Sequence, residues 1–286
     1  MRIHILGANG FVGQRLQEFF FQQKDFETKG YSSSDCNLLF PHSVSLTLSP
    51  FTKKDVVIMA SSITRLRENT LESMIKNVRM ADNMSKFIHE NPPAYFVFLS
   101  TTDVYGVNPQ IPITENNLPH PNDYYSLSKL SSEFLFKKIC SEKQIPLLIL
   151  RLSGLYGKGD EGKSIISKLL ESAVKERKIT VIGDGNDKRD PVYVEDIGKI
   201  IFDGITQKTD SLINVATGES YSIKQIVEFL RDYLPYKVSV EYKESLEDQK
   251  RAREMQFDTS LLRKNFPEFK FTNLKQGLKL YLQERT

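Results

Sequence analysis

The run Arg2-Ile3-His4-Ile5-Leu6 reads as a strand, and it leads straight into Gly7-Ala8-Asn9-Gly10-Phe11-Val12-Gly13. A G-x-x-G-x-x-G loop after a strand and at the mouth of a helical pattern constrains this chain more than any other feature. Glycine lets the backbone turn sharply and approach a pyrophosphate. The helix that follows offers unpaired N–H groups and the positive end of its dipole to the anion. The spacing predicts a dinucleotide held by Gly7, Asn9, Gly10, Phe11, Val12 and Gly13. The competing reading is a tight strand-to-helix turn with incidental glycines.

The rest of the chain keeps the same rhythm. Strand patterns fall at 3–6, 56–60, 95–99 and 147–152, and helical patterns at 12–23, 72–89, 125–142 and 164–175. Val56-Val57-Ile58-Met59 and Phe96-Val97-Phe98-Leu99 are apolar at every position, as strands covered on both faces are. Alternation of this kind predicts an α/β fold, a Rossmann-type doubly wound parallel sheet. The texture changes past Gly154, where elements shorten and Lys and Glu become frequent; one more amphipathic helix is expected at 223–232. The expected division is a dinucleotide-binding domain over 1–154, with a return segment at 191–215, and a smaller, mainly substrate-binding domain over 155–286. Residues 107–123 hold Pro109, Pro112, Pro119 and Pro121 and read as a structured loop.

Charge narrows the partners. Lys plus Arg is 39 and Asp plus Glu is 36, a net 39 − 36 = +3, too mild to point to nucleic acid or a membrane surface. With 40% hydrophobic and 26% charged residues the chain is not disordered as a whole. Cys36 and Cys140 stand alone, and His4, His42, His89 and His120 are scattered, so no metal site is expected and the histidines read as structural or surface residues. No apolar run approaches ~18 residues and the N-terminus has no signal-peptide pattern, so the expected location is the cytoplasm.

The second strand is expected to end near Gly30-Tyr31-Ser32. An acid there would hold the ribose hydroxyls of NAD. The loop instead reads Ser32-Ser33-Ser34, with Asp35 late, so the reading leans to NADP, with NAD as the alternative. Asn37, Leu38, Ala60 and Leu152 are the further positions expected to line the dinucleotide.

Tyr125-Ser126-Leu127-Ser128-Lys129 is Y-x-x-x-K on a helical segment, so Tyr125 and Lys129 share a face. A phenol of pKa ~10 is a poor base at neutral pH, and a neighbouring ammonium favours its anion. Taken alone, the pair reads as a surface tyrosine and lysine. Upstream, however, an apolar strand ends in Ser100-Thr101-Thr102-Asp103-Val104-Tyr105-Gly106, and strand carboxyl ends are where open α/β sheets bind ligands.

With these residues together, the chain resembles the extended short-chain dehydrogenase/reductase family, in its NAD(P)-dependent epimerase/dehydratase branch, over nearly its whole length. Gly7, Gly10 and Gly13 match the family's loop. Asn77-Val78 resembles an Asn-Val pair that opens a helix. Tyr125 and Lys129 match the Tyr/Lys pair, and Arg151-Leu152-Ser153-Gly154-Leu155-Tyr156-Gly157 matches the next strand end. Ile182-Gly183-Asp184-Gly185 and 189–196 resemble the return segment, and Phe257-Asp258-Thr259-Ser260 a late turn. The resemblance implies Thr101, Tyr125 and Lys129 as catalytic residues and Asp103, Arg189 and Arg253 as substrate-binding residues. The reaction it implies is hydride transfer on a nucleotide-activated sugar, by 4-keto-sugar reduction or C4 epimerisation. It also implies a homodimer through the helix bearing Tyr125. Two departures bear on the substrate: Gly154 stands where the family's epimerases carry Asn, and Thr102-Asp103 where its dehydratases carry two acids.

Three other readings compete. One is a 4,6-dehydratase and another is a non-catalytic NADP-sensing module. The third is a nucleoside-triphosphate hydrolase, because residues 157–164, Gly-Lys-Gly-Asp-Glu-Gly-Lys-Ser, fit the phosphate-loop pattern. Asp160 and Glu161 would sit in that cradle and repel a phosphate.

Overall fold

The computed structural model describes residues 1–48, 51–160, 162–244 and 254–284. The first half runs β1 (Arg2–Leu6), α1 (Phe11–Phe21), β2 (Glu27–Tyr31), α2 (Pro41–Thr47), β3 (Val56–Met59), α3 (Leu71–Glu90), β4 (Tyr95–Thr101), α4 (Tyr124–Lys143) and β5 (Leu147–Leu152). A single 3-10 turn, Thr102–Tyr105, follows β4. The second half runs β6 (Gly154–Tyr156), α5 (Ile165–Glu176), β7 (Lys178–Ile182), β8 (Lys188–Arg189), β9 (Pro191–Tyr193), α6 (Glu195–Gln207), β10 (Ser211–Val215), β11 (Tyr221–Ser222), α7 (Ile223–Tyr233), β12 (Ser239–Lys243), α8 (Ser260–Asn265) and α9 (Leu274–Gln283).

Six strands pair in the order β2-β1-β3-β4-β5-β10, all parallel. The chain moves outward from β1 to β2 and then crosses back to β3, so the order reverses between β1 and β3. The crevice beyond the carboxyl ends at such a reversal is where doubly wound sheets bind ligands. Every residue of β3 and β4 is buried, which follows from helices on both faces. On one face Leu16 and Phe20 of α1 and Ile197, Ile200 and Ile201 of α6 meet Ile3, Ile5 and Val97. On the other, Val44 of α2, Met84 and Ile88 of α3 and Phe136 of α4 meet Val57, Phe96 and Phe98. A third cluster packs α5, α7 and α9 on β7.

Local chemistry fixes where the key helices start. Thr70 and Ser73 form a reciprocal capping box at α3, and Asp123 and Ser126 form one at α4. Each cap contributes roughly 1 kcal/mol, and the second sets Tyr125 in the first turn of α4. His4 is buried between the Tyr31 hydroxyl at 2.9 Å and the Asp55 carboxylate at 3.3 Å.

One expectation needs correction. Asn77 does not open a helix: α3 starts at Leu71, and Asn77 lies more than a turn inside it. Within 191–215 the chain returns to the central sheet through β10; β9 pairs with β6, and α6, to which no helix was assigned from the pattern, covers the sheet between them. Among the described residues no helix is long and apolar enough to cross a membrane. No group of three or more His, Cys, Asp or Glu among them could hold a metal ion.

Candidate active site

The glycine loop sits at the sheet's reversal point. Gly7 has φ +89°, and a Cβ there would stand 2.8 Å from the backbone of Ser61. A Cβ on Gly13 would come within 2.1 Å of the Gly7 carbonyl oxygen. Both positions therefore exclude a side chain. No side chain caps α1, whose N-cap is Gly10. The first-turn N–H groups at Phe11, Val12 and Gly13, with Asn9 exposed beside them, form a cradle that fits a dinucleotide pyrophosphate.

At the end of β2 the Ser32 N–H and hydroxyl both donate to the Asp35 carboxylate, at 2.8 and 2.6 Å. These bonds hold the exposed Asp35 below the usual carboxylate range. The acid that stands late in the sequence thus folds back onto the strand end. Asn37 makes a local turn, its side chain accepting from the Leu39 N–H. The Leu38 side chain is buried in the core, which leaves only its backbone to face a ligand. Ala60 lies at the end of β3, its N–H on the Leu6 carbonyl at 3.0 Å. Leu152 ends β5, half-buried.

Tyr125, Lys129 and Glu133 repeat every fourth residue of α4 and share one face. Lys129 is 5% exposed, and its ammonium donates to the Leu99 carbonyl at 2.7 Å and lies 4.8 Å from the Phe98 ring centre. Burial pulls its pKa down to about 7, with Glu133 opposing. Its ammonium lies 6.0 Å from the Tyr125 ring centre. Burial pushes the Tyr125 phenol above its ordinary value, and Asp103 adds to that; the group pulling it back is Arg65. The Lys129 ammonium is drawn to the Leu99 carbonyl, away from the phenol oxygen's immediate partners Asp103 and Arg65. Asp103 and Arg65 form an ion pair at 3.0 Å.

Thr101 ends β4 and is buried; its hydroxyl oxygen accepts from the Asp103 N–H at 3.1 Å, which leaves its proton to donate. Thr102 turns its hydroxyl back onto the Leu152 carbonyl. Asn69 accepts from the Tyr125 N–H at 3.2 Å, and Asn77 bonds both Ile63 and Ser128. The loop carrying Arg65 is thereby fastened to α3 and the start of α4.

Sequence reasoning missed Arg65, Asn69, Glu133 and Arg151. For the last two a signal existed. Arg151 is the one charge in Leu147-Leu148-Ile149-Leu150-Arg151-Leu152, and a charge inside an apolar strand demands a buried partner. Glu133 supplies both carboxylate oxygens to it, at 3.0 and 2.7 Å.

On the substrate side, Arg189 is tied to its neighbours, donating to Asp187 at 2.8 Å and to the Lys188 carbonyl at 2.9 Å. Arg253 lies outside the described residues. Gly154 is exposed, and a Cβ there would meet nothing within 4 Å, so the position is not sterically reserved for glycine.

The phosphate-loop reading is overturned. Asp160 is fully buried, and its carboxylate accepts from the backbone N–H groups of Lys163 and Ser164, at 3.1 and 2.9 Å. Those are donors that a phosphate would need, so the loop already holds an anion of its own. Glu161 lies outside the described residues.

Comparison with known proteins agrees with this geometry. A family model described as the NAD dependent epimerase/dehydratase family matches residues 3–216. GDP-6-deoxy-D-talose 4-dehydrogenase of Aggregatibacter actinomycetemcomitans is 26% identical over 249 residues, 85% of this chain and 84% of that one. UDP-glucose 4-epimerase of Thermotoga maritima, solved with UDP-glucose, superposes with a TM-score of 0.88 at 18% identity, covering 99% of this chain and 98% of that one. RMD of Pseudomonas aeruginosa, solved with NADPH, gives 0.86 at 20% identity, covering 100% and 99%.

Proposed function

Because this chain belongs to the NAD dependent epimerase/dehydratase family, we propose that it is an NAD(P)-dependent oxidoreductase that transfers hydride at C4 of a nucleotide-activated sugar. Reduction of a 4-keto sugar is the net reaction, and C4 epimerisation uses the same groups. One observation carries the reading: Tyr125 and Lys129 share the face of α4 that meets the carboxyl end of β4, where Thr101 stands, and the glycine cradle lies at the reversal of the same sheet. The 4-dehydrogenase relative supports it.

In this reading Gly7, Asn9, Gly10, Phe11, Val12 and Gly13 hold the pyrophosphate. Ser32, Asn37 and Leu38 face the adenosine half, and Ala60, Leu152, Tyr125 and Lys129 the nicotinamide half. The bound dinucleotide supplies the hydride. Tyr125 gives or takes the proton at the sugar's reacting oxygen, Thr101 donates a hydrogen bond to that oxygen, and Lys129 carries the charge that favours the phenolate. Proton transfer of this kind is worth ~10²–10⁴ in rate. Asp103, Arg189 and Arg253 contact the substrate, which is bound mainly by residues 155–286, while 1–154 and 191–215 carry the dinucleotide. The 4,6-dehydratase reading is the weaker one: Thr102 is turned into the sheet and Asp103 is paired with Arg65.

The test is turnover of a panel of nucleotide-linked 4-keto-6-deoxyhexoses with NADH and with NADPH. Stoichiometric oxidation of the dinucleotide with reduction at C4 is expected. Exchange at C4 with no net oxidation makes the protein an epimerase. Inertness toward every sugar, with neither dinucleotide bound, removes the proposal. In the same assay Asp35 is expected to oppose the lean to NADP, since its exposed carboxylate folds back onto the end of β2 and already holds Ser32. Asp35→Asn should shift the NADPH-to-NADH preference toward NADPH by about tenfold, ~1.4 kcal/mol. An unchanged ratio places the ribose elsewhere.

We also propose a cytoplasmic homodimer. Leu71 and Ile75 of α3 and Leu127 and Phe134 of α4 are exposed apolar residues on the two helices that pack together beside the site. Sedimentation as a monomer of 32.9 kDa at micromolar concentration would exclude the dimer.

A further inference from the structure

Glu133 takes no part in the chemistry above, yet it is 1% exposed and sits one turn beyond Lys129. Its carboxylate accepts from Arg151 through two N–H groups, at 3.0 and 2.7 Å, and from the Ser100 hydroxyl at 2.5 Å. Arg151 continues to the Tyr105 hydroxyl at 2.8 Å, which donates to Asn214 at 2.8 Å. Two consecutive residues of β4 therefore receive two consecutive turns of α4: Leu99 takes Lys129, and Ser100 takes Glu133. The next residue of β4 is Thr101.

We propose that Glu133, clamped by Arg151 and Ser100, is a positioning residue for Lys129, fixing where its ammonium stands and supplying the counter-charge that keeps it an ammonium. The inference rests on the role given to Lys129 above. Two buried ions that satisfy each other are weak evidence for stability by themselves, because desolvation offsets their attraction. The pair here does something an apolar replacement could not, since Arg151 and Ser100 together fix the Glu133 carboxylate one helical turn from Lys129, on the same face of α4, where its charge reaches the ammonium. The charged and titratable groups around Lys129 are few. Glu133 and Tyr125 lie on its own helix, Arg151 on β5 is reached through Glu133, and Tyr105 lies on the turn after β4. From α3 the neutral Asn77 donates to Ser128 of this helix, and β4 offers the Phe98 ring, the Leu99 carbonyl and the Ser100 hydroxyl.

Glu133→Gln keeps the shape and one acceptor oxygen but removes the charge. The experiment follows the titration of Lys129 by NMR of protein carrying ¹³C-methylated lysines, with the signal identified by its loss in Lys129→Arg. Alongside it runs the pH dependence of dinucleotide affinity and of kcat/KM. In Glu133→Gln the Lys129 midpoint should fall by about 1 pH unit or more. The alkaline limb of both profiles should move with it, and activity at the acid end should stay near wild type. Ser100→Ala, which removes a hydrogen bond but no charge, should leave the midpoint in place. An unmoved midpoint, or a loss of activity equal at every pH, overturns the proposal. Should Glu133→Gln fail to fold, the Glu133→Gln/Arg151→Met double variant removes both charges; losing the cation offsets part of the effect, so a smaller fall in the same direction is expected, and a wild-type midpoint there overturns it too. The NMR readout needs no turnover, so a protein inactive on every sugar but with the shifted midpoint would refute the functional reading and keep this one.

Discussion

Tyr125→Phe lowers kcat by at least ~10²-fold and leaves the dinucleotide dissociation constant within about twofold, because a single proton-transfer group is lost. The ring itself stays. Its half-buried place at the start of α4 is set by the Asp123 cap and by Asn69 on its backbone N–H, and neither involves the phenol oxygen. The measurement is steady-state kinetics on the sugar found in the panel, with dinucleotide binding by calorimetry. Wild-type turnover in the variant would take Tyr125 out of the chemistry. A loss confined to KM would make it a binding group.

Lys129→Met abolishes turnover to a similar degree and, at pH 6, makes the unliganded protein more stable. Two effects oppose each other. The variant loses the hydrogen bond to the Leu99 carbonyl, a net ~1 kcal/mol. It also loses a buried charge whose pKa has been drawn from 10.5 to about 7, which corresponds to a burial cost on the order of 5 kcal/mol. The second effect is larger. The sign with pH follows from proton counting. Between pH 7 and 10.5 the unfolded chain holds a proton that folded Lys129 has released, so the wild type gains stability as pH rises through that window. Below pH 7 both states are charged and the burial cost applies in full. The melting-temperature advantage of the Met variant should therefore be greatest near pH 6 and shrink toward pH 10. A variant less stable than wild type at pH 6 would mean that Lys129 sits in a more polar place than its surroundings indicate.

What could be read from the sequence follows a physical rule. The glycine loop, the all-apolar β3 and β4 and the Tyr125/Lys129 spacing are local patterns, each complete within a few residues, and each appears in the structure where the pattern puts it. Arg65 and Asp103 are 38 positions apart, and Glu133 and Arg151 are 18 apart across a helix and a strand. No periodicity joins such pairs; only the tertiary fold does. The phosphate-loop pattern at 157–164 failed in the opposite way. Its letters are right, but the meaning depends on which way one carboxylate points, and Asp160 points inward to occupy its own backbone donors. Asp35 is a milder case, its place at the strand end being set by a turn that brings a residue three positions later back to Ser32.

The paired docking of Lys129 and Glu133 on Leu99 and Ser100 acts like a vernier between helix and strand. Sliding α4 along β4 by one residue would break both engagements at once, so the helix that carries Tyr125 and Lys129 is referenced to the sheet. The residues proposed to contact the sugar, Asp103 on the turn after β4 and Arg189 on its short strand, and the exposed Gly154, lie outside that reference. Selectivity can therefore drift, in a natural lineage or in a laboratory library, while the proton-transfer geometry stays calibrated. A library aimed at new sugars should vary positions such as 103, 154 and 189 and leave 99, 100, 129 and 133 alone.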